Sequence, residues 1–187
     1  MLILGIDPGL TRTGFGLIRL NQHNESELVH YEVIDSTAVS SNSSRLIFLY
    51  EKLSALIDTY KPDETAMEKL FFQRNITTAM MVSEARGVAA LCLAQHGLPI
   101  AEYTPNEVKQ TVSGSGRADK LQMQNMVQLL LSLDAVPQPD DAADALAVAL
   151  CHACLLYTSD AADDLLCVAL GGRRNIKKKK HATHPQY

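Results

Sequence analysis

Three acidic sites stand among neighbours that give a carboxylate little reason to be there. Asp7 closes the apolar run LILGI, Glu68 sits inside TAMEKL, and Asp140, Asp141 and Asp144 open the segment DDAADALAVAL. A carboxylate at the end of a core strand is costly unless it is paired or holds a cation, so Asp7 and Glu68 demand partners. On a helix, Asp141 and Asp144 are three apart and Asp140 and Asp144 four apart; either pair shares a face, and spacing does not choose between them. Asp140 and Asp141 also suit a first helical turn, where negative charge meets the positive end of the helix dipole. If the strands bearing Asp7 and Glu68 are neighbours, these two acids meet, and Asp141 or Asp144 completes an all-oxygen cluster. Such a donor set suits Mg²⁺ or Mn²⁺ rather than zinc. Two ions about 3.5–4 Å apart bracket a phosphodiester, one activating water and the other stabilising the leaving 3′ oxygen. The chemistry implied is that of a metal-dependent nuclease.

Positioning these acids requires a defined set of elements. Residues 2 to 7 and 13 to 20 read as two strands joined by a tight turn at Asp7-Pro8-Gly9. ELVHYEVID, residues 27 to 35, gives a third strand, so the chain opens with an antiparallel meander. Leu46, Leu49, Leu53, Leu56 and Ile57 recur at helical spacing after a cap at Ser43 or Ser44, and Pro62 ends that helix near Tyr60. TAMEKL is a fourth strand, the loop FFQRN follows, and a long helix covers about 76 to 95. A fifth strand at 98 to 103 precedes helices at 105–112, 118–133 and 140–154, the first two joined by SGSGR, a glycine-rich connection that could offer backbone N–H groups to phosphates. The pattern is α/β, a five-stranded mixed sheet flanked by helices, in one domain over residues 1 to 153. Outside residues 154 to 187 no period of 20 to 50 residues recurs, which excludes a solenoid.

The 187 residues are 47% hydrophobic and 20% charged, enough for one core. No apolar stretch reaches the ~18 residues of a membrane span, and Asp7 comes too early for a secretory signal. A cytoplasmic protein with no membrane contact is expected. Cys151 and Cys154 are spaced C-x-x-C without a second pair, so they, Cys92 and Cys167 read as reduced thiols rather than a zinc site. Residues 1 to 153 carry eighteen acidic against eleven basic side chains, whereas residues 154 to 187 carry three against six. That tail could be a basic arm for nucleic acid or a solvated end. A third reading fits better: CLLYTSDAADD matches the translation of a transposase-type sequencing adaptor, and GGRRNIKKKK its continuation into poly-A. Residues 154 to 187 are therefore expected to be a non-native or disordered tail, and Lys177 to Lys180 are given no function.

Five ordered segments, GIDPGLTRTGFG, AMEKLFFQRN, ARGVA, YTPNEVKQTVSGSGRADK and DDAADALAVAL, resemble the RuvC Holliday junction resolvase family across nearly all of residues 1 to 153. The resemblance implies a ribonuclease H-like fold and a homodimer. It implies paired cutting of opposed strands in four-way junction DNA, in recombination and repair, alongside a branch-migration helicase complex. It also implies Mg²⁺, or Mn²⁺, as cofactor, two ions per site. By matching positions, Asp7, Glu68 and Asp141 would be the metal-binding catalytic acids and Asp144 the fourth carboxylate, which selects Asp141 over Asp140. Phe71 matches an aromatic that stacks near the junction centre. Lys109 and Lys120 match basic positions near the scissile strand, with Lys120 placed to offset phosphate charge as it develops.

An acidic chain is an unusual duplex binder. Clustering of Lys69, Arg74, Arg86, Lys109, Arg117 and Lys120 between Glu68 and the SGSGR loop must then supply the DNA contact. The Ala- and Met-rich stretch ITTAMMVSEARGVAALCLA suits close packing against a symmetry mate. Three other readings compete. The segment from Asp7 to Gly14 resembles the phosphate loop of sugar kinases and actin-like ATPases, but the chain is too short for their second lobe. Processing of ribosomal RNA precursors by a related fold is disfavoured by the DAAD, YTPNEVKQ and GRADK segments. A non-catalytic DNA-binding module is disfavoured because both Asp7 and Glu68 are present.

Overall fold

Alternate residues of the first strand face opposite ways, and that period of two organises the molecule. The computed structural model describes residues 1–9, 11–69 and 76–160. Its elements are β1 (Leu2–Asp7), β2 (Arg12–Leu20), β3 (Ser26–Asp35), α1 (Asn42–Tyr60), β4 (Glu64–Glu68), α2 (Ile76–Gln95), β5 (Ile100–Tyr103), α3 (Pro105–Ser113), α4 (Lys120–Leu130) and α5 (Asp140–Asp160). The sheet order is β3-β2-β1-β4-β5; the first three strands are antiparallel, while β4 lies parallel to β1 and β5 parallel to β4. This is the expected mixed α/β sheet.

Helices cover both faces. Leu4 and Ile6 of β1, with Phe15, Leu17 and Met67, pack against Leu53 of α1 and Leu93 of α2. Ile3, Ile18 and Ala66 look the other way, onto Val112 of α3, Val127 of α4 and Leu146 of α5. Element ends differ from expectation where side-chain caps decide them. Helix α1 starts after Ser41, whose Oγ accepts from Ser44 N at 3.1 Å, rather than after Ser43 or Ser44. Helix α4 begins at Lys120, not residue 118, because Asp119 and Gln122 form a reciprocal capping box there.

Helix α5 lies unusually close to the sheet. The register sets Gly5 beside Gly16 and Asp7 beside Gly14. A Cβ on Gly5 would fall 2.2 Å from the Ala145 carbonyl oxygen, and one on Gly14 would fall 1.8 Å from that of Asp141. Buried Ala142, Ala145 and Ala149 complete the contact from the helix side. Only hydrogen fits between these backbones, so the glycines fix the depth and rotation of α5.

Cys92 and Cys151 are free and buried. Helix α5 passes Cys154, where the sequence changes character, without a break, and Leu155 and Leu156 pack against the α3–α5 core. Residues 161 to 187, with Cys167 and Lys177 to Lys180, lie outside the described residues. Among the described residues, no helix is long and apolar enough to cross a membrane.

Candidate active site

Strand β1 delivers Asp7 at its C-terminal end, and parallel β4 delivers Glu68 at its own. The register pairs Gly5 with Ala66 and Ile6 with Met67, which leaves Asp7 and Glu68 as the next residues along neighbouring strands. Period two then turns both toward α5, on the face that carries Ile3 and Ala66. Helix α5, seated on Gly14 at Asp141, brings the acids of its first turns over the same strand ends.

The four carboxylates act on one another. Burial, then the charges of Asp144, Glu68 and Asp141, push the Asp7 carboxyl from its ordinary 3.8 up to about 7, against a smaller pull from Lys120. Glu68 is raised by burial and Asp144, with Lys109 opposing. Asp144 is raised chiefly by burial, with Lys120 opposing and Asp140 and Asp141 reinforcing. Desolvation leads in all three cases, as it does for carboxyls held partly out of water. Among the described residues, no three His, Cys, Asp or Glu side chains are drawn to the spacing that one ion would need.

Cations border the cluster. Lys120 Nζ lies 3.0 Å from Asp140 Oδ2 and 3.5 Å from Asp144 Oδ2. Arg12 Nε lies 3.5 Å from Asp141 Oδ2 and 3.6 Å from Asp35 Oδ2. Asp140 and Asp141, which helical spacing left as alternatives, have different surroundings. Asp141 and Asp144 act on Asp7, whereas Asp140 is engaged by Lys120 and by Gln124, which hold its carboxyl below the ordinary range. Arg12 was missed by motif reasoning; its only signal is a cross-strand place opposite Asp35.

Residues 3–152 match the family profile described as Crossover junction endodeoxyribonuclease RuvC. The chain belongs to the RuvC family. A RuvC from Caldicellulosiruptor saccharolyticus is 47% identical over 86% of this chain and 99% of its own length. One from Desulfitobacterium hafniense is 52% identical over 82% and 92%. The solved Thermus thermophilus RuvC in complex with Holliday junction substrate superposes with a TM-score of 0.80 at 31% identity, over 85% of this chain and 96% of that one. The yeast mitochondrial resolvase Ydc2, at 14% identity and a TM-score of 0.58, shares the fold. The architecture is thus the ribonuclease H-like fold of RuvC resolvases.

Around this RuvC centre the basic residues divide. Lys109 is half-buried, and its charge reaches Glu68. Arg117 is exposed, as is Lys69, whose backbone N–H donates to the Tyr103 carbonyl at 2.7 Å. Arg86, expected in the DNA-facing cluster, donates to the Glu68 carbonyl oxygen at 3.4 Å and pairs with Glu102, tying β4 to β5. Phe71 and Arg74 lie outside the described residues.

The SGSGR loop also departs from expectation, because its N–H groups are consumed internally. Gly114 N donates to Gln110 O, Ser115 N to Ser113 Oγ, Gly116 N to Gln110 Oε1, Arg117 N to Ser115 Oγ and Ala118 N to Ser115 O. The loop is a braced turn, not a phosphate cradle, and any phosphate contact there falls to side chains.

Proposed function

We propose that this chain is a Mg²⁺-dependent crossover junction endodeoxyribonuclease that makes paired cuts in opposed strands of four-way DNA junctions, in recombination and repair. The observation that carries the reading is the placement of Asp7 and Glu68 at the ends of adjacent parallel strands beneath the acid-bearing first turns of α5, and the upward push on the Asp7 carboxyl by burial and by those acids accords with it. A protein keeps such repulsion where function uses it. Family membership along nearly the whole domain supports the same substrate, since the Thermus relative was solved with a Holliday junction and the curated relatives carry the endodeoxyribonuclease name. We take residues 1 to 153 as the nuclease domain, in line with the family match over 3–152.

The chemistry of the donor set, all oxygen and strongly negative, suits a hard divalent cation, and Asp7, Glu68, Asp141 and Asp144 would hold it once drawn in from their present wider spacing, with two ions per site and Mn²⁺ as a substitute for Mg²⁺. When bound, such ions supply an activated water and charge neutralisation at the leaving oxygen. The chain does the rest. Glu68 and Asp7, on parallel strand ends, fix the floor of the site. Lys120 sets its ammonium at the rim and offsets charge gathering on the phosphate. Lys109, Arg117 and Arg74 would meet the backbone phosphates, and Phe71 would stack at the junction centre.

Paired cutting needs two sites related by a twofold axis, and α2 offers the surface for a homodimer. Met80 and Leu91 on that helix are 61% and 54% exposed, and nothing lies within 4 Å of where a Cβ on Gly87 would be. A cytoplasmic location and work beside a branch-migration helicase complex accord with this role. Incubation with a labelled synthetic four-way junction and Mg²⁺ tests the whole reading. Symmetric nicks in opposed strands are expected; ATP hydrolysis without nicks, or binding without cleavage, overturns it.

A further inference from the structure

We propose that Asp140 and Gln124 are positioning residues that aim Lys120, an inference that rests on the reading of Lys120 as the rim cation of the site. Lys120 is the first residue of α4, where a cation faces the positive end of the helix dipole and α4 has no acid in its first turn. The capping Asp119 is occupied, accepting from Gln122 N at 2.8 Å. Nothing on α4 itself therefore holds the ammonium, and its partners come from α5.

Gln124 follows Lys120 by four residues, on the same side of α4. It is 7% exposed, one of few buried polar side chains, and a buried amide needs a partner. Its Nε2 donates to Asp140 Oδ1 at 2.7 Å, while Asp140 Oδ2 accepts from Lys120 Nζ at 3.0 Å. One carboxylate thus spends one oxygen on a buried anchor and the other on the ammonium. The Lys120–Asp144 approach is longer, at 3.5 Å. A lysine stem has four rotatable carbons, and holding its tip before the substrate arrives removes an ordering cost from the reaction. The Lys120–Asp140 pair is half-exposed, so it adds little to stability. Its worth lies in aim.

The test combines Asp140→Asn, Gln124→Met and Lys120→Met with junction cleavage under saturating Mg²⁺, junction affinity, and NMR of the lysine ammonium groups. Asp140→Asn and Gln124→Met should each slow cleavage roughly tenfold with junction affinity unchanged. Neither should slow it further in a Lys120→Met background, since a residue acting through Lys120 has nothing left to act on. The Lys120 ammonium signal, visible while hydrogen-bonded, should fade in both single variants without metal or DNA. Additive losses in the double variants, or a persistent signal in Asp140→Asn, overturn the proposal. So does Lys120→Met cutting at the wild-type rate. Absence of junction cleavage by the unaltered protein instead removes the functional reading, and the NMR arm still decides the positioning claim.

Discussion

The two faces of the sheet are packed by opposite rules. On the α1–α2 face, Leu4, Ile6, Phe15 and Leu17 fill the space with side-chain volume, and the helices stand off accordingly. On the other face, Gly5, Gly14 and Gly16 remove that volume under Ala142, Ala145 and Ala149, so α5 rests on backbone. Volume gives stability with tolerance, because side chains can repack. Direct backbone contact gives position without tolerance. The acids stand on the intolerant face, and the exposed Met80 and Leu91 belong to the tolerant one.

The largest expected effect separates chemistry from both packing regimes. Glu68→Gln keeps size and polarity and removes one charge from a site whose acids already repel. Cleavage should fall roughly a thousandfold with the circular dichroism spectrum and oligomeric state unchanged. A variant that cuts within a few-fold of the parent would remove the acids from the mechanism and leave the glycine face without a purpose.

Packing itself is tested next, by Gly14→Ala. The added carbon would meet the Asp141 carbonyl at 1.8 Å, and backbone cannot swing aside as a side chain can. Helix α5 must rise, at a cost of about 3 kcal/mol for overpacking, which lowers the unfolding midpoint by roughly 6–12 °C in a chain of this size. Cleavage should fall as well, because Asp141 and Asp144 rise with the helix. An equally large loss from an alanine-to-serine change on the outer side of α2 would show that the two faces are not distinct.

How much of this was readable beforehand follows the same division. The strand alternation, the helical periodicity of α1 and the cost of Asp7 are local, and the sequence carries them. Asp141 and Asp140 are one residue apart, and their different partners, Arg12 for one and Lys120 with Gln124 for the other, come from other elements; helical spacing left both open for that reason. Arg12 escaped notice because its partners, Asp35 and Asp141, come from a register and a helix far along the chain. The SGSGR loop misled because glycine signals a turn without saying where its N–H groups go. Gln110, reaching forward from α3, takes up two of its backbone groups with its amide, accepting from Gly116 N and donating to Gly114 O. The Arg86–Glu102 pair is hidden for the same reason, because β5 brings Glu102 alongside from sixteen residues away.

Charge supplies a third, smaller effect. A carboxyl whose pKa is higher folded than unfolded destabilises the fold as it ionises. The penalty is absent below about pH 4, grows as the pH climbs and is complete above the folded value, about 7 for Asp7. Glu68 and Asp144 shift the same way. Metal-free protein should therefore unfold at a lower temperature at pH 8 than at pH 6.5. Asp7→Asn should raise the pH 8 midpoint by several degrees, for about 2 kcal/mol shared among coupled acids. His152, whose pKa burial lowers, works in the opposite sense at more acidic pH, so the two proteins are compared at equal pH. Mg²⁺ or Mn²⁺ should stabilise the parent at pH 8 and leave Asp7→Asn nearly unmoved. A metal-free Asp7→Asn less stable than the parent would mean that the acid is satisfied, not frustrated.

The smallest effect bears on the tolerant face, and its sign is the informative part. Gly87 sits inside α2, exposed, with open space where a Cβ would go. Within the single chain nothing requires glycine, which costs up to about 1 kcal/mol against alanine in a helix. If α2 is free in solution, Gly87→Ala should simply stabilise, by up to that amount. If α2 packs on a second copy of itself, the methyl group enters a helix crossing built around a missing side chain, and the dimer should weaken although each protomer's helix improves. Sedimentation of the two proteins over a range of concentrations distinguishes these signs. Weaker association with a sharper monomer unfolding transition supports a dimer made through α2, and it predicts that coupled nicks on a junction become independent single nicks. Unchanged association with a plain gain in stability would place the twofold axis elsewhere, and the exposed Met80 and Leu91 would then no longer mark the surface that holds two active sites at a fixed separation.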